Sequence, residues 1–274
     1  MPISFKSKPG LVVYLTVGDP DIATTRAIAL AAIDAGADVL ELGVPFSDPL
    51  ADGPVIERAS HRAVANGTTL ANVLALAREL RTARPQTGLI IFSYLNPILR
   101  YGRSDVDERS GVGIFDRFTT DAKAAGVDGV LAIDLTIEEA EGKYLDTMRA
   151  AGLAPIFLAA PTSTDDRLQR IAAVSQGFVY AISRVGITGT QETLATDARN
   201  LVERLRRYTK LPIALGFGVS NATHIAAVGE FADAAVIGSA IVGLIEKTAP
   251  KDAPAAVAQL IEGLRPVAAA PASR

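Results

Sequence analysis

Residues 36–54 read GADVLELGVPFSDPLADGP. The glycine at position 36 follows an alanine-rich stretch and suits a helix end, where glycine tolerates the left-handed conformation. Asp38–Leu42 is then a short strand that opens on Asp38 and is otherwise apolar on both faces except for one residue, Glu41. A strand that alternates apolar and polar residues lies on a half-exposed sheet. One that is apolar throughout belongs to a parallel sheet covered on both sides. From Gly43 to Gly53 the chain runs through a long acidic loop that carries Asp48 and Asp52. Loops of this length with little structure of their own are commonly functional.

The same unit recurs along the chain. Short strand-like runs fall at Leu11–Thr16, Asp38–Leu42, Gly88–Phe92, Gly129–Ile133, Ala154–Leu158, Gly177–Ile182, Pro212–Leu215 and Ala234–Ile237. Gly, Pro or Asp bounds nearly all of them, as strand ends require. Between them, Thr24–Ala35, Thr69–Thr82, Phe115–Ala125, Ile137–Ala151, Thr164–Val174, Thr196–Tyr208 and Asn221–Glu230 space their apolar residues as amphipathic helices do. Eight strand–helix units predict an α/β fold, a single (β/α)8 (TIM) barrel. An open doubly wound sheet is the alternative, and no G-x-G-x-x-G fingerprint follows the first strand to support it. The expected organisation is one domain over 1–265 with a disordered, low-complexity tail over 266–274. The polar interval Gly102–Gly113 reads as a solvated insertion.

Composition removes several classes of function. The 274 residues include no Cys and two His, so a thiolate zinc site, an iron–sulfur centre, a cysteine nucleophile and a multi-histidine metal centre are not expected. A net charge of −3 with no basic run argues against nucleic acid. The most apolar stretch, Ala234–Ile245, is too short for a spanning helix, which needs roughly 18–20 residues. No signal-peptide pattern opens the chain, and a cytoplasmic protein is expected.

In such a barrel the working residues sit where strands end and loops begin. Glu41 ends the second strand among apolar neighbours, where desolvation would raise its pKa and make it a general acid or base. The other reading is a core carboxylate paired with an arginine such as Arg184, and spacing alone leaves the two equal. Asp52 is either a second carboxylate over the same mouth or a turn residue before Gly53-Pro54, and its local sequence favours the turn. Turn readings are favoured for Asp19 and Asp48, each before a proline, and Asp134 ends the fourth strand with a structural role open to it. Tyr180 lies within the sixth strand and points into the barrel or packs outside it. Glycines close the later strands: Gly186 and Gly189, then Gly216 and Gly218, then Gly238 beside Ser239. Glycines at consecutive strand ends, with a helix N-terminus after the eighth, form a phosphate cradle. Without a Gly-Lys-Ser motif, a nucleoside triphosphate is not the ligand expected. From the residues alone the reading stops at an acid–base enzyme acting on a small organic phosphate.

The run from Glu41 to Pro54 (ELGVPFSDPLADGP) closely resembles the signature of the tryptophan synthase alpha subunit family. YLTVGDPD at 14–21, NPILRYG at 96–102, FVYAISRVGITG at 178–189, LGFGVS at 215–220 and IGSAIV at 237–242 agree in order and spacing, so the resemblance spans about 11 to 245. It implies retro-aldol cleavage of indole-3-glycerol phosphate to indole and glyceraldehyde 3-phosphate. Carried across motif by motif, Glu41 is the acid–base catalyst, Asp52 accepts a hydrogen bond from the indole N–H, and Tyr180 is the active-site tyrosine. Tyr14, Ile56, Phe92 and Leu131 form the indole slot. Gly189, Gly218, Gly238 and Ser239 bind phosphate, and Arg184 to Gly189 is a lid whose Thr188 meets Asp52 on closure. The resemblance implies no metal and no cofactor in this chain. It implies an αββα complex in which indole passes to a beta subunit carrying pyridoxal phosphate, with Asp48–Ala51 and Asn96-Pro97 facing that partner. A stand-alone indole-releasing lyase and a catalytically silent binding barrel are the other functions considered.

Overall fold

A computed structural model describes residues 3–103, 113–182, 191–216, 218 and 221–264. Residues 104–112 of the interval Gly102–Gly113 read as an insertion, the lid residues Arg184, Thr188 and Gly189, and the predicted tail lie outside the described residues.

Strands β1 (Gly10–Thr16), β2 (Val39–Gly43), β3 (Gly88–Ser93), β4 (Gly129–Ala132), β5 (Ala154–Pro155), β6 (Leu158–Ala159), β7 (Val179–Ile182), β8 (Ile213–Gly216) and β9 (Ala234–Ile237) are all parallel, in the order β5-β4-β3-β2-β1-β9-β8-β7-β6. The two ends of that order are halves of one extended segment. Its first half pairs with β4 and its second with β7. Between them the Ile156 N–H donates to the Val130 carbonyl at 2.9 Å, and the Tyr180 N–H to the Phe157 carbonyl at 3.2 Å. That segment therefore closes the sheet into an eight-staved (β/α)8 barrel, with no sheet edge left to attract another chain.

The strands are buried from end to end because they separate two apolar layers. Leu11, Val13, Leu40, Leu42, Leu89 and Ile91 pack outward against the helices. Val12, Tyr14, Val39, Ile90, Phe92, Leu131 and Phe178 fill the barrel interior. Strand periodicity of two sorts neighbours to opposite layers, so Glu41, two residues beyond Val39, also faces inward.

The helices are α1 (Ile22–Asp34), α2 (Pro54–Ala65), α3 (Leu70–Ala83), α4 (Leu95–Arg103), α5 (Asp116–Ala124), α6 (Ile137–Ala140), α7 (Lys143–Ala150), α8 (Asp165–Val174), α9 (Gln191–Arg206), α10 (Ala222–Gly229), α11 (Ser239–Lys247) and α12 (Ala253–Leu264). Several start on side-chain caps. Asp21 accepts from the Thr24 N–H at 2.7 Å, and Thr69 and Thr136 form capping boxes with Asn72 and Glu139. Each such cap stabilises a helix by about 1 kcal/mol.

One predicted element divides. The stretch read as a helix over Ile137–Ala151 breaks into α6 and α7, because Glu141 leaves helical geometry at ψ 137° and Gly142 sits at φ 85°. Among the described residues no helix is long and apolar enough to cross a membrane, and no group of three or more His, Cys, Asp or Glu is placed to hold a metal ion.

Candidate active site

Parallel pairing aligns Tyr14 with Glu41 and Glu41 with Ile90 at the C-terminal half of the barrel. Glu41 has no solvent exposure, and among the described residues neither of its carboxyl oxygens meets a hydrogen-bond partner. Burial without compensation disfavours the ionised form and pushes this carboxyl up to about 8. Burial therefore favours its protonated form at neutral pH. Arg184, the partner that the other reading of Glu41 requires, lies outside the described residues.

Asp52 stands on the loop after β2, just before α2. The Tyr94 hydroxyl donates to its Oδ2 at 3.2 Å and accepts the Ala51 N–H at 2.9 Å. The Tyr94 ring in turn packs on Phe46 with centroids 5.1 Å apart. Burial raises the Asp52 carboxyl to about 6, although the Tyr94 hydrogen bond pulls it down. Two carboxyls in different environments thus titrate apart, the arrangement that lets one donate a proton while the other stays charged. Tyr94 is absent from the sequence-derived residues. It directly follows the end of β3, so the strand-end rule that singled out Glu41 applies to it equally.

A cavity of about 590 Å³ opens above Glu41 at the C-terminal mouth. Tyr14, Phe92, Ile133, Leu158, Tyr180 and Val236 line it from the barrel, and Val55 and Ile56 from α2. Tyr14 and Phe92 meet edge to face, with centroids 5.1 Å apart and planes at 76°. These walls are flat and apolar, with polar atoms at Glu41 and the two phenols, which suits an aromatic ring with few polar atoms. Leu131 is fully buried beneath this space. Ile133, further up the same chain segment, holds the lining place expected of Leu131. Two glycines make room for the tyrosines. A Cβ on Gly43 would stand 2.4 Å from the Tyr14 hydroxyl, and one on Gly216 would stand 3.1 Å from that of Tyr180. Tyr180 therefore points into the barrel, one of the two orientations open to it in the sequence. Burial first, and the nearby Glu41 carboxyl next, hold its phenol well above the ordinary tyrosine range.

Gly218, Gly238 and Ser239 line the same cavity, and a Cβ on Gly238 would stand 3.5 Å from that of Tyr14. Gly238 precedes α11 without a side-chain cap, so the N–H groups of the first helical turn face the cavity with the positive end of the helix dipole. Gly218 sits at φ +59°, a backbone region that favours glycine.

The other carboxylates singled out in the sequence make local or ion-pair contacts. Asp134 accepts the Leu95 N–H at 2.7 Å. Asp48 accepts from the Ser47 hydroxyl at 2.6 Å. Asp19, expected as a turn residue, is instead buried and bound bidentately by Arg62.

Fold and site together define a (β/α)8 barrel protein with a buried carboxyl and a glycine-bordered helix start facing one cavity at its C-terminal mouth. A sequence profile of the tryptophan synthase alpha chain family matches residues 3–270. The chain belongs to that family, whose members are lyase-type enzymes. The tryptophan synthase alpha chain of Solibacter usitatus is 47% identical over 244 residues, 89% of this chain and 86% of its own length. That of Burkholderia lata is 44% identical over 260 residues, 95% and 91% of the two chains. Among solved structures, tryptophan synthase subunit alpha from Legionella pneumophila superposes with a TM-score of 0.80 at 34% identity, covering 94% of this chain and 91% of its own. A chain of the tryptophan synthase complex from Pyrococcus furiosus gives 0.79 at 33%, covering 94% and 98%.

Proposed function

We propose that this chain cleaves indole-3-glycerol phosphate into indole and glyceraldehyde 3-phosphate and delivers the indole to a beta subunit. The observation that carries the reading is Glu41: a fully buried carboxyl at the base of an apolar cavity, without a hydrogen-bond partner among the described residues, with Asp52 beside the same mouth. The phosphate binds at Gly218, Gly238 and Ser239, with Gly189 completing the cradle, and the indole ring lies between Tyr14, Phe92, Ile56 and Tyr180.

Cleavage then follows from the two carboxyl environments. Protonated Glu41 delivers its proton to indole C3, which leaves positive charge on the ring nitrogen. Ionised Asp52 accepts the hydrogen bond of that N–H and stabilises the charge where it develops. The Glu41 carboxylate next takes the proton of the glycerol hydroxyl. The carbonyl of glyceraldehyde 3-phosphate forms, the carbon–carbon bond breaks, and its electron pair returns to the indole ring. Glu41 ends protonated, ready for another turnover. No cofactor on this chain takes part.

The partner reading has support from the surface. Leu50 is 95% exposed on the loop that carries Asp52. A cavity of about 530 Å³ lies beside that loop, lined by Phe46, Ser47, Asn96 and Pro97 among others. An exposed leucine next to an apolar hollow fits a protein interface. In this reading the pyridoxal phosphate belongs to the beta chain of an αββα complex.

Indole release from indole-3-glycerol phosphate, measured for the chain alone and with a beta subunit added, tests the proposal. Slow release that rises strongly with the beta subunit supports it. Fast release indifferent to the beta subunit identifies a free-standing lyase, and no release in either case removes the enzymatic reading.

A further inference from the structure

Helices α2 and α11 both begin at the cavity. The N-terminus of α2 carries Asp52, Gly53 and Pro54, and that of α11 carries Gly238 and Ser239. The two helices lie against each other, close enough that a Cβ on Gly243 of α11 would touch Val55 of α2 at 3.6 Å. Their far ends are joined by a continuous set of ion pairs. The Arg62 Nη1 donates to Glu246 Oε1 at 2.8 Å, while its Nε and Nη2 hold both oxygens of buried Asp19 at 2.8 Å. Arg58, one helical turn before Arg62, grips Glu246 through Nε at 2.8 Å and Nη2 at 2.7 Å.

Local helix physics does not account for these residue choices. Arg58 and Arg62 are like charges at i and i+4, which repel on an isolated helix. Glu246 sits in the last turn of α11, where the helix dipole disfavours an anion. Both choices become favourable only when the two helices are side by side, with the carboxylate between the guanidiniums. Charge-assisted bidentate bonds fix direction as well as distance. The tie also reaches a third element, because Asp19 belongs to the loop after β1, the strand that supplies Tyr14.

We propose that Arg62 and Glu246 are positioning residues: they lock α2 and α11 into one rigid pair and so set the distance from the Asp52 loop to the phosphate end of the cavity. The inference rests on the phosphate reading of Gly238 and Ser239. Arg62 lies about 12 Å along α2 from Pro54, and Glu246 about 10 Å along α11 from Ser239, at 1.5 Å per residue. Neither residue lines the cavity, so any effect on substrate passes through the helices. A stiff helix turns a small displacement at its far end into a misdirected first turn, and the N–H groups there act only when aimed at the anion.

The test is Glu246→Gln and Arg62→Lys in the full chain, with sn-glycerol 3-phosphate titrated by calorimetry and steady-state cleavage measured alongside thermal melting. Glu246→Gln keeps the Arg62–Asp19 pair and is expected to fold. It should weaken glycerol 3-phosphate binding and raise KM together by about five- to tenfold, with kcat within about twofold of the parent. Arg62→Lys loses the fork that serves both carboxylates, so kcat should fall as well as KM rise. If Arg62→Lys does not fold, Glu246→Gln decides alone. A lowered Tm in Glu246→Gln with unchanged ligand binding, KM and kcat would show a merely structural tie and overturn the proposal. If the parent chain fails to bind glycerol 3-phosphate, the phosphate reading falls and this inference falls with it, a result distinct from parent and variant binding equally well.

Discussion

The Tyr94 hydroxyl lies 3.2 Å from Asp52 Oδ2 and 2.9 Å from the Ala51 nitrogen. Because it accepts from the backbone amide, its own proton is directed at the carboxylate. Asp52 is thereby aimed from outside the cavity, by a residue on a different barrel strand's loop. Tyr94→Phe removes that donor while keeping the ring against Phe46. A hydrogen bond to a charged group contributes roughly 1.5–3 kcal/mol, so kcat/KM for cleavage at neutral pH should fall by about tenfold or more. The Asp52 pKa should move further up from about 6, since the bond that lowered it is gone. Steady-state pH profiles of the parent and the variant measure both effects.

The proposed chemistry needs Asp52 ionised and Glu41 protonated. With Asp52 near 6 and Glu41 near 8, kcat/KM should rise through the first value and fall through the second, a bell with its maximum at about neutral pH. A profile that stays flat to well above pH 8 would contradict the protonated form of Glu41 as the acid.

Glu41 also ties stability to pH. Its folded pKa of about 8 lies above the ordinary 4.5, so between those values the folded chain holds a proton that the unfolded chain releases. Stability therefore falls as pH rises across that window and levels off above about 8. Glu41→Gln cannot titrate and escapes this loss. The variant should match the parent near about pH 5 and exceed it near about pH 9, by on the order of a few kcal/mol. Denaturant midpoints at the two pH values provide the check.

Gly43 faces the Tyr14 phenol so closely that an added methyl would stand 2.4 Å from its oxygen. The ring packs edge to face on Phe92, and the cavity that it lines is the space open to it when it is pushed. Gly43→Ala should destabilise the fold by about 1–3 kcal/mol, the usual cost of overpacking. It should also raise KM, because the displaced phenol enters the cavity. Chemical denaturation and steady-state kinetics separate the two consequences.

Much of this architecture is readable in the sequence because burial on both faces leaves little choice of residue. Each strand appears as an apolar run, and Glu41 stands out as a charge inside its own, whereas Asp38 bounds it. Depth within the barrel is harder to read. Residues 131 and 133 face the same way, so alternation cannot say which of Leu131 and Ile133 reaches the cavity. A separation of two residues along a strand is about 7 Å. Asp19 resembles a turn residue before proline because its partner Arg62 is 43 positions away. Asp52 and Tyr94 are 42 positions apart, and only folding brings the phenol to the carboxylate. The break in the helix over 137–151 turns on Gly142, whose positive φ was one of several conformations open to a glycine. Helix α12, against α1, follows the eighth strand–helix unit and so lies outside the repeat by which the other elements are recognised.

The account depends most on Glu41, and its substitution by glutamine is close to isosteric. The deciding measurement is indole release from indole-3-glycerol phosphate by the parent chain and by Glu41→Gln, both folded and in the presence of a beta subunit. The account predicts near-complete loss of turnover in the variant, with glycerol 3-phosphate binding retained because the phosphate end is untouched. Cleavage by Glu41→Gln at a rate close to the parent's would contradict it, because no carboxyl would then remain at the base of the cavity to supply the proton to indole C3.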